Sequence, residues 1–397
     1  MELPDGKNGT MHSMKKHLFN IDFFRIYLAV GIVLLHLLFI GFGPNFGHTT
    51  EFKIVSAYIG KLRYGVDIFF IISGFFIVYT RLYQYNFLEI FLKRALRLWP
   101  VMTFCIVAAF LFSLCDLCKF YPLQNLYSLL FINGIRIANH VNGEYPGLGN
   151  IHSSWFLSVL MFVTLFYCSL LKFNKERFVA IALPICVMSL YQASYGIHTL
   201  FCDGVLRGLG SIGVGCLIGV FYESVTVKEK YKKIFRSILI SHNISTKLFI
   251  TLTQGLLITV LTLALFADRH NRFVMTDFIV IFSFIFILLL INQDFISQML
   301  NHKVSSYLGR YAFSIYLTHC ITVEVLRNSL VNQQYYTSFC EFVLRIAHLN
   351  NLQTFMLFYL LNAALCVLVG IVTYHLIESK IKIQLTKHLS KNIIVNS

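Results

Sequence analysis

Apolar runs long enough to cross a lipid bilayer recur along this chain from Ile21 almost to its end, and they restrict it to a narrow set of folds. A hydrocarbon core of roughly 30 Å needs about 20 helical residues. The runs are therefore read as transmembrane helices. Ten segments follow: Ile21–Phe42, Gly65–Thr80, Leu98–Leu114, Trp155–Leu171, Phe178–Tyr195, Val205–Tyr222, Leu248–Ala267, Phe273–Asn292, Leu308–Arg327 and Thr354–Ile377. The stretch Leu123–Ile132 is too short to span and reads as an interfacial or re-entrant piece. With 57% hydrophobic and 13% charged residues and a mean hydropathy of +0.70, no soluble catalytic domain is left over. The fold class is an all-α polytopic membrane protein. Its organisation is a tail at 1–20, a transmembrane domain at 21–378 and a basic tail at 379–397.

Basic residues in short loops are retained on the cytoplasmic face, and their distribution here alternates. With the N-terminus inside, 21 Lys and Arg fall on inner segments, nine on outer loops, and Arg25, Arg207 and Arg310 within or at the ends of segments. Both termini are therefore expected inside. The net charge of +15 then reflects topology and attraction to anionic lipid rather than nucleic acid. No cleavable signal is apparent, because Ile21–Phe42 is longer than a signal core and lacks a small-x-small cleavage site. The ten cysteines lie mostly in apolar segments and suit packing. Cys115 and Cys118 form a lone C-x-x-C, for which packing outweighs a metal or redox role. No metal site is expected. No internal repeat is evident, which weakens a transporter reading built on inverted repeats.

Ionisable groups at membrane depth are costly and point to function. Arg25 and His36 are eleven residues apart, about three helical turns and roughly 16 Å along the axis, so both project from one stripe. Arg25 lies near the inner surface and His36 in the outer half. Arg25 alone also suits a snorkelling residue at a helix end, and His36 an interhelical hydrogen bond. An imidazole can accept a hydroxyl proton near neutral pH or carry an acyl group. Asp67 is the carboxylate whose depth best suits His36, to fix its tautomer as in a triad; it also suits capping of its own helix. Asp22 stands one turn before Arg25 as a first-turn carboxylate or ion-pair partner.

Five motifs follow in order: R-x10-H at Arg25 and His36, G-V-D-I-F-F-I-I-S-G-F at Gly65–Phe75, F-L-K-R-A-L-R-L-W-P at Phe91–Pro100, W-F-L-S at Trp155–Ser158, and S-I-Y-L-T-H at Ser314–His319. Together they resemble the acyltransferase 3 family of membrane O-acyltransferases, over Ile21 to about Glu378. The resemblance implies acyl transfer, commonly of acetyl from cytoplasmic acetyl-CoA, onto hydroxyls of surface sugars, peptidoglycan, lipids or small molecules. It makes His36 the essential histidine, Arg25 its motif partner, and Lys93, Arg94 and Arg97 the basic cluster before a proline. That cluster suits CoA phosphates, which arginine binds bidentately, and equally suits positive-inside anchoring. Ser73, His152, Trp155, Tyr316 and His319 are candidates for the acceptor or cavity wall, and Glu378 for a carboxylate pairing with inner arginines. Many members continue the tryptophan motif as W-S-L-S-V-E, whereas Leu160 stands at the glutamate position here.

The expected function is therefore acetyl transfer from acetyl-CoA to cell-surface carbohydrate, such as O-antigen, capsule or exopolysaccharide, in a bacterial plasma membrane. A proton-coupled transporter or flippase is the alternative, since buried His and Arg also serve proton coupling. Expected partners are membrane lipids and a carbohydrate acceptor, with no nucleic acid; the outer loops Gly43–Tyr64 and Asp116–Ser154 are the place for acceptor choice. No sequence feature fixes an oligomeric state.

Overall fold

The structure is a computed structural model that describes residues 18–133, 150–197, 201–227, 244–266, 274–291, 294–331, 334–347 and 349–381. The basic stretches before Leu18, between residues 228 and 243 and after Ile381, which carry much of the expected inner charge, lie outside the described residues.

Each of the ten apolar segments corresponds to a helix: α1 Phe19–His36, α2 Gly65–Tyr79, α3 Phe87–Leu114, α4 Ser154–Phe173, α5 Lys175–Tyr195, α6 Asp203–Val227, α7 Ile244–Leu265, α8 Met275–Ile291, α9 Ala312–Val331 and α10 Asn351–Thr373. Eight helical stretches among the described residues are long and apolar enough to cross a membrane, and they fall on α1 to α7 and α10. Helix α8 is shorter at 17 residues. Helix α9 has the length, 20 residues, but carries Thr318, His319, Thr322 and Glu324 among its apolar residues. The interfacial stretch is a short helix, Pro122–Leu129. The protein is a multi-pass helical membrane protein.

Lipid, rather than water, explains its exterior. On α7, Phe249, Leu252, Leu256 and Leu263 are all exposed, and their spacing of three, four and seven places them on one face. A large apolar face of this kind is a membrane contact in a chain with this composition.

Local sequence signals set several helix boundaries. Asn86 begins α3 by accepting a hydrogen bond from the Glu89 amide, and Asn350 with Gln353 forms a capping box at the start of α10, as expected of Asn at these positions. The tightest helix pair is α2 with α6, and glycine makes it possible. A Cβ on Gly74 would run into the Ile212 carbonyl, and one on Gly215 into the Ile71 carbonyl. Small residues let membrane helices approach backbone to backbone. Gly215→Leu is expected to destabilise by at least the roughly 1–3 kcal/mol typical of overpacking, read as a lower unfolding temperature in detergent.

At the end of α1 the helix widens into a π-helical turn, Leu37–Phe42, directly after His36. Such turns recur at functional sites. Two residues before His36, the Tyr359 hydroxyl from α10 donates to the Leu34 carbonyl at 2.6 Å. The same helix thus closes over the segment that presents the histidine.

Candidate active site

A cavity of about 610 Å³ opens among α1, α2, α3, α4 and α9. Its size falls in the range of small-molecule and cofactor sites. The lining includes Asp22 and Arg25 from α1, Ser73 from α2, Lys93, Arg94 and Arg97 from α3, and Tyr316 from α9. Phe69, Ile72, Phe76, Phe156, Leu157 and Leu160 supply apolar walls. Leu160, where many family sequences have glutamate, therefore gives this cavity a hydrocarbon surface instead of a carboxylate.

The charges are arranged with an excess of cation. Arg25 Nη1 pairs with Asp22 Oδ1 at 3.1 Å, as their spacing suggested. Arg97 is exposed into the cavity, close enough to interact with Arg25, Asp22 and Glu378. Arg94 faces the like charge of Arg97. The Lys93 ammonium sits 3.0 Å from the centroid of the Tyr85 ring, a cation–π contact that fixes its direction. Glu378 accepts from the Ser314 hydroxyl at 2.6 Å. Three arginines and a lysine around one space, offset by few carboxylates, favour an anionic ligand with several negative oxygens.

Tyr316 forms the link between this cavity and the histidines. It lines the cavity, and its ring lies 5.8 Å from that of His319, one turn along α9. His319 Nε2 in turn lies 2.8 Å from His36 Nδ1, and the two ring planes are inclined by 28° with centroids 5.0 Å apart, so the rings meet edge to edge. His319 Nδ1 is 3.2 Å from the Ile315 carbonyl. A carbonyl oxygen only accepts, so His319 Nδ1 carries the proton and Nε2 carries a lone pair. His36 Nδ1–H must then donate to it. The consequence is that His36 Nε2 bears the free lone pair, the arrangement a general base requires.

His152 stands beside this pair, its ring 6.2 Å from that of His36. It is held there by its neighbour: the Ser153 hydroxyl donates to the Tyr316 carbonyl at 3.3 Å and receives the Cys320 thiol at 3.0 Å.

Asp67 does not orient His36. It is fully buried and faces α6, where Arg207 grips it through Nε to Oδ1 at 3.1 Å and Nη2 to Oδ2 at 2.7 Å, with Ser211 a longer donor at 3.4 Å. A fork-shaped guanidinium outcompetes an imidazole for both carboxylate oxygens. Trp155 is also outside the cavity lining. Its ring packs against Phe70 and lies 5.6 Å from the Arg207 guanidinium, so it braces the buried ion pair. Of the sequence candidates, the fold gathers Arg25, Ser73, Lys93, Arg94, Arg97 and Tyr316 at one cavity and His36, His319 and His152 in a cluster beyond it, next to Tyr316.

Arg207 and Cys320 were absent from the expected site. Arg207 carried a signal, being an ionisable residue within an apolar segment. Cys320 carried none beyond adjacency to His319.

A family model described as an acyltransferase domain, acyltransferase 3, matches residues 18–375. The chain belongs to this family. The match covers nearly all of the described helices, including both halves of the site. No curated protein and no solved structure matches the chain.

Proposed function

We propose that this acyltransferase 3 protein crosses the bacterial plasma membrane ten times with both termini in the cytoplasm and moves acetyl from acetyl-CoA to a hydroxyl of a cell-surface carbohydrate. The observation that carries this reading is the placement of charge next to the histidines: a cationic chamber of about 610 Å³ is lined by Tyr316, the Tyr316 ring lies 5.8 Å from that of His319, and His319 hydrogen-bonds His36. Arg94 and Arg97 bind the phosphates of the donor, while the apolar wall at Phe156 and Leu160 receives its pantetheine arm. The thioester is directed toward the histidines. His36 Nε2 takes the proton of the acceptor hydroxyl as its oxygen attacks the acetyl carbonyl, and the CoA thiolate leaves. His319 holds His36 in the competent tautomer and accepts its Nδ1–H throughout, a part played by a carboxylate in a serine-protease triad.

Transfer is tested with purified protein in liposomes, radiolabelled acetyl-CoA and surface polysaccharide from an acylation-deficient strain. Label on polysaccharide hydroxyls supports the reading. Substrate flux along a gradient with no label transferred would establish the transporter alternative instead. Arg94→Gln and Arg97→Gln are each expected to raise the KM for acetyl-CoA roughly 10–100-fold, the cost of a lost charge-assisted hydrogen bond, with a smaller change in kcat. Saturation curves in donor at fixed acceptor measure this split.

A further inference from the structure

His36, His319 and Cys320 bring three metal-ligating atoms within 4.8 Å of one another in the membrane interior. We propose that this trio is a Zn²⁺ site, bound through His36 Nδ1, His319 Nε2 and the Cys320 thiolate, whose occupancy switches off acyl transfer. The donor set is borderline to soft, which suits zinc better than a hard cation. Around tetrahedral zinc, with Zn–N near 2.0 Å and Zn–S near 2.3 Å, ligand atoms lie roughly 3.3–3.6 Å apart. The nitrogens stand at 2.8 Å, His319 Nε2 to Cys320 Sγ is 3.7 Å and all three atoms lie within 4.8 Å of one another, so the nitrogens need to part by about half an ångström and the rings to turn until their lone pairs converge on one point.

The outer shell is also that of a metal site. His319 Nδ1–H on the Ile315 carbonyl fixes the tautomer that aims Nε2 inward, the usual partner of a ligating histidine. Cys320 is held by Ser153 at 3.0 Å. His152, its ring 6.2 Å from that of His36, has its Nε2 buried with no hydrogen-bond partner among the described residues, and we assign it as the candidate fourth donor.

Metal and proton compete for the same lone pairs. In the metal-free pair, the His36 Nδ1 proton lies between the two rings and Nε2 is free. Zinc binding releases the Cys320 thiol proton to solvent and takes the His36 Nδ1 lone pair, and the imidazole proton then resides on Nε2. His36 there becomes a donor and no longer a base. This inhibitory consequence rests on the acyl-transfer reading above; the binding itself does not.

The experiment uses the full-length protein in detergent, stripped with chelator, its affinity tag removed. Zn²⁺ is titrated by metal analysis after gel filtration, and Co²⁺ serves as a spectroscopic probe. One zinc per chain, and a near-ultraviolet thiolate-to-cobalt band that vanishes in Cys320→Ser, are expected. Zinc affinity in Cys320→Ala and His319→Gln should fall by more than the roughly 10–100-fold typical of losing an outer-shell partner. Thermal melts of both variants establish that they are folded. Undiminished zinc binding in both folded variants, or no cobalt–thiolate band in the wild type, would overturn the site. In the transfer assay, zinc should inhibit the wild type reversibly with chelator, while Cys320→Ala keeps its own metal-free rate at the same zinc concentration. Zinc binding in a protein that transfers no acetyl would leave the site standing and remove the acyl-transfer reading. Transfer with no zinc bound would do the reverse.

Discussion

His36→Ala is expected to lower acetyl transfer on the order of 10²–10⁴-fold, the range for loss of a positioned general base, with little change in the KM for acetyl-CoA. The separation follows from the geometry, because the cationic groups that would hold the donor line the cavity from α1 and α3 while His36 meets His319 beyond it. His319→Ala should act in the same direction through positioning, on the order of 10²-fold. His319→Gln should recover part of that loss, since an amide oxygen can accept the His36 Nδ1–H. A purely structural role for His319 would make the glutamine and alanine variants differ in stability and not in kcat. Initial rates with labelled donor, alongside thermal melts of each variant, separate the two. Full transfer activity in His36→Ala would remove the histidine from the chemistry.

The helical architecture was legible because lipid imposes a length and a composition that a sequence displays directly. All ten apolar segments are helices, and the R-x10-H spacing did place Arg25 and His36 on one continuous helix. The motif residues of α3 were legible as a basic cluster, and they line the cavity. What a linear reading missed were partnerships across helices. The orienting group for His36 comes from α9, 283 residues away, and no local spacing encodes that distance. Asp67 looked suitable because depth along the membrane can be read from a sequence, whereas the direction a helix face points cannot. Its helix lies between α1 and α6, and the glycine-lined contact at Gly74 and Gly215 draws α6 so close that Arg207 reaches the carboxylate first. The close approach of α2 and α6 therefore decides the chemistry of two separate sites: it takes Asp67 out of the histidine cluster and leaves that cluster with a neutral orienting partner.

That assignment yields the largest expected effect on stability. Asp67→Asn should destabilise the protein by about 3–5 kcal/mol, the cost of leaving one member of a buried ion pair uncompensated. Asp67 is wholly buried and the Arg207 side chain 12% exposed, so solvent offers the orphaned guanidinium little relief. Arg207 also donates to the Arg63 carbonyl at 3.0 Å, tying the turn before α2 into the same network. Asp203 lies farther off, with its oxygen 3.8 Å from Arg207 Nη1 and its side chain 50% exposed, too solvated to replace Asp67. The double variant Asp67→Asn with Arg207→Met should recover much of the loss, because replacing both charges with groups of similar volume removes the desolvation penalty. Thermal unfolding of the two single variants and the double variant forms the cycle. The same three proteins settle what Asp67 does for the histidines. If it oriented His36, the double variant would be stable and inactive. With His319 in that position, the double variant should regain transfer in proportion to its folded fraction.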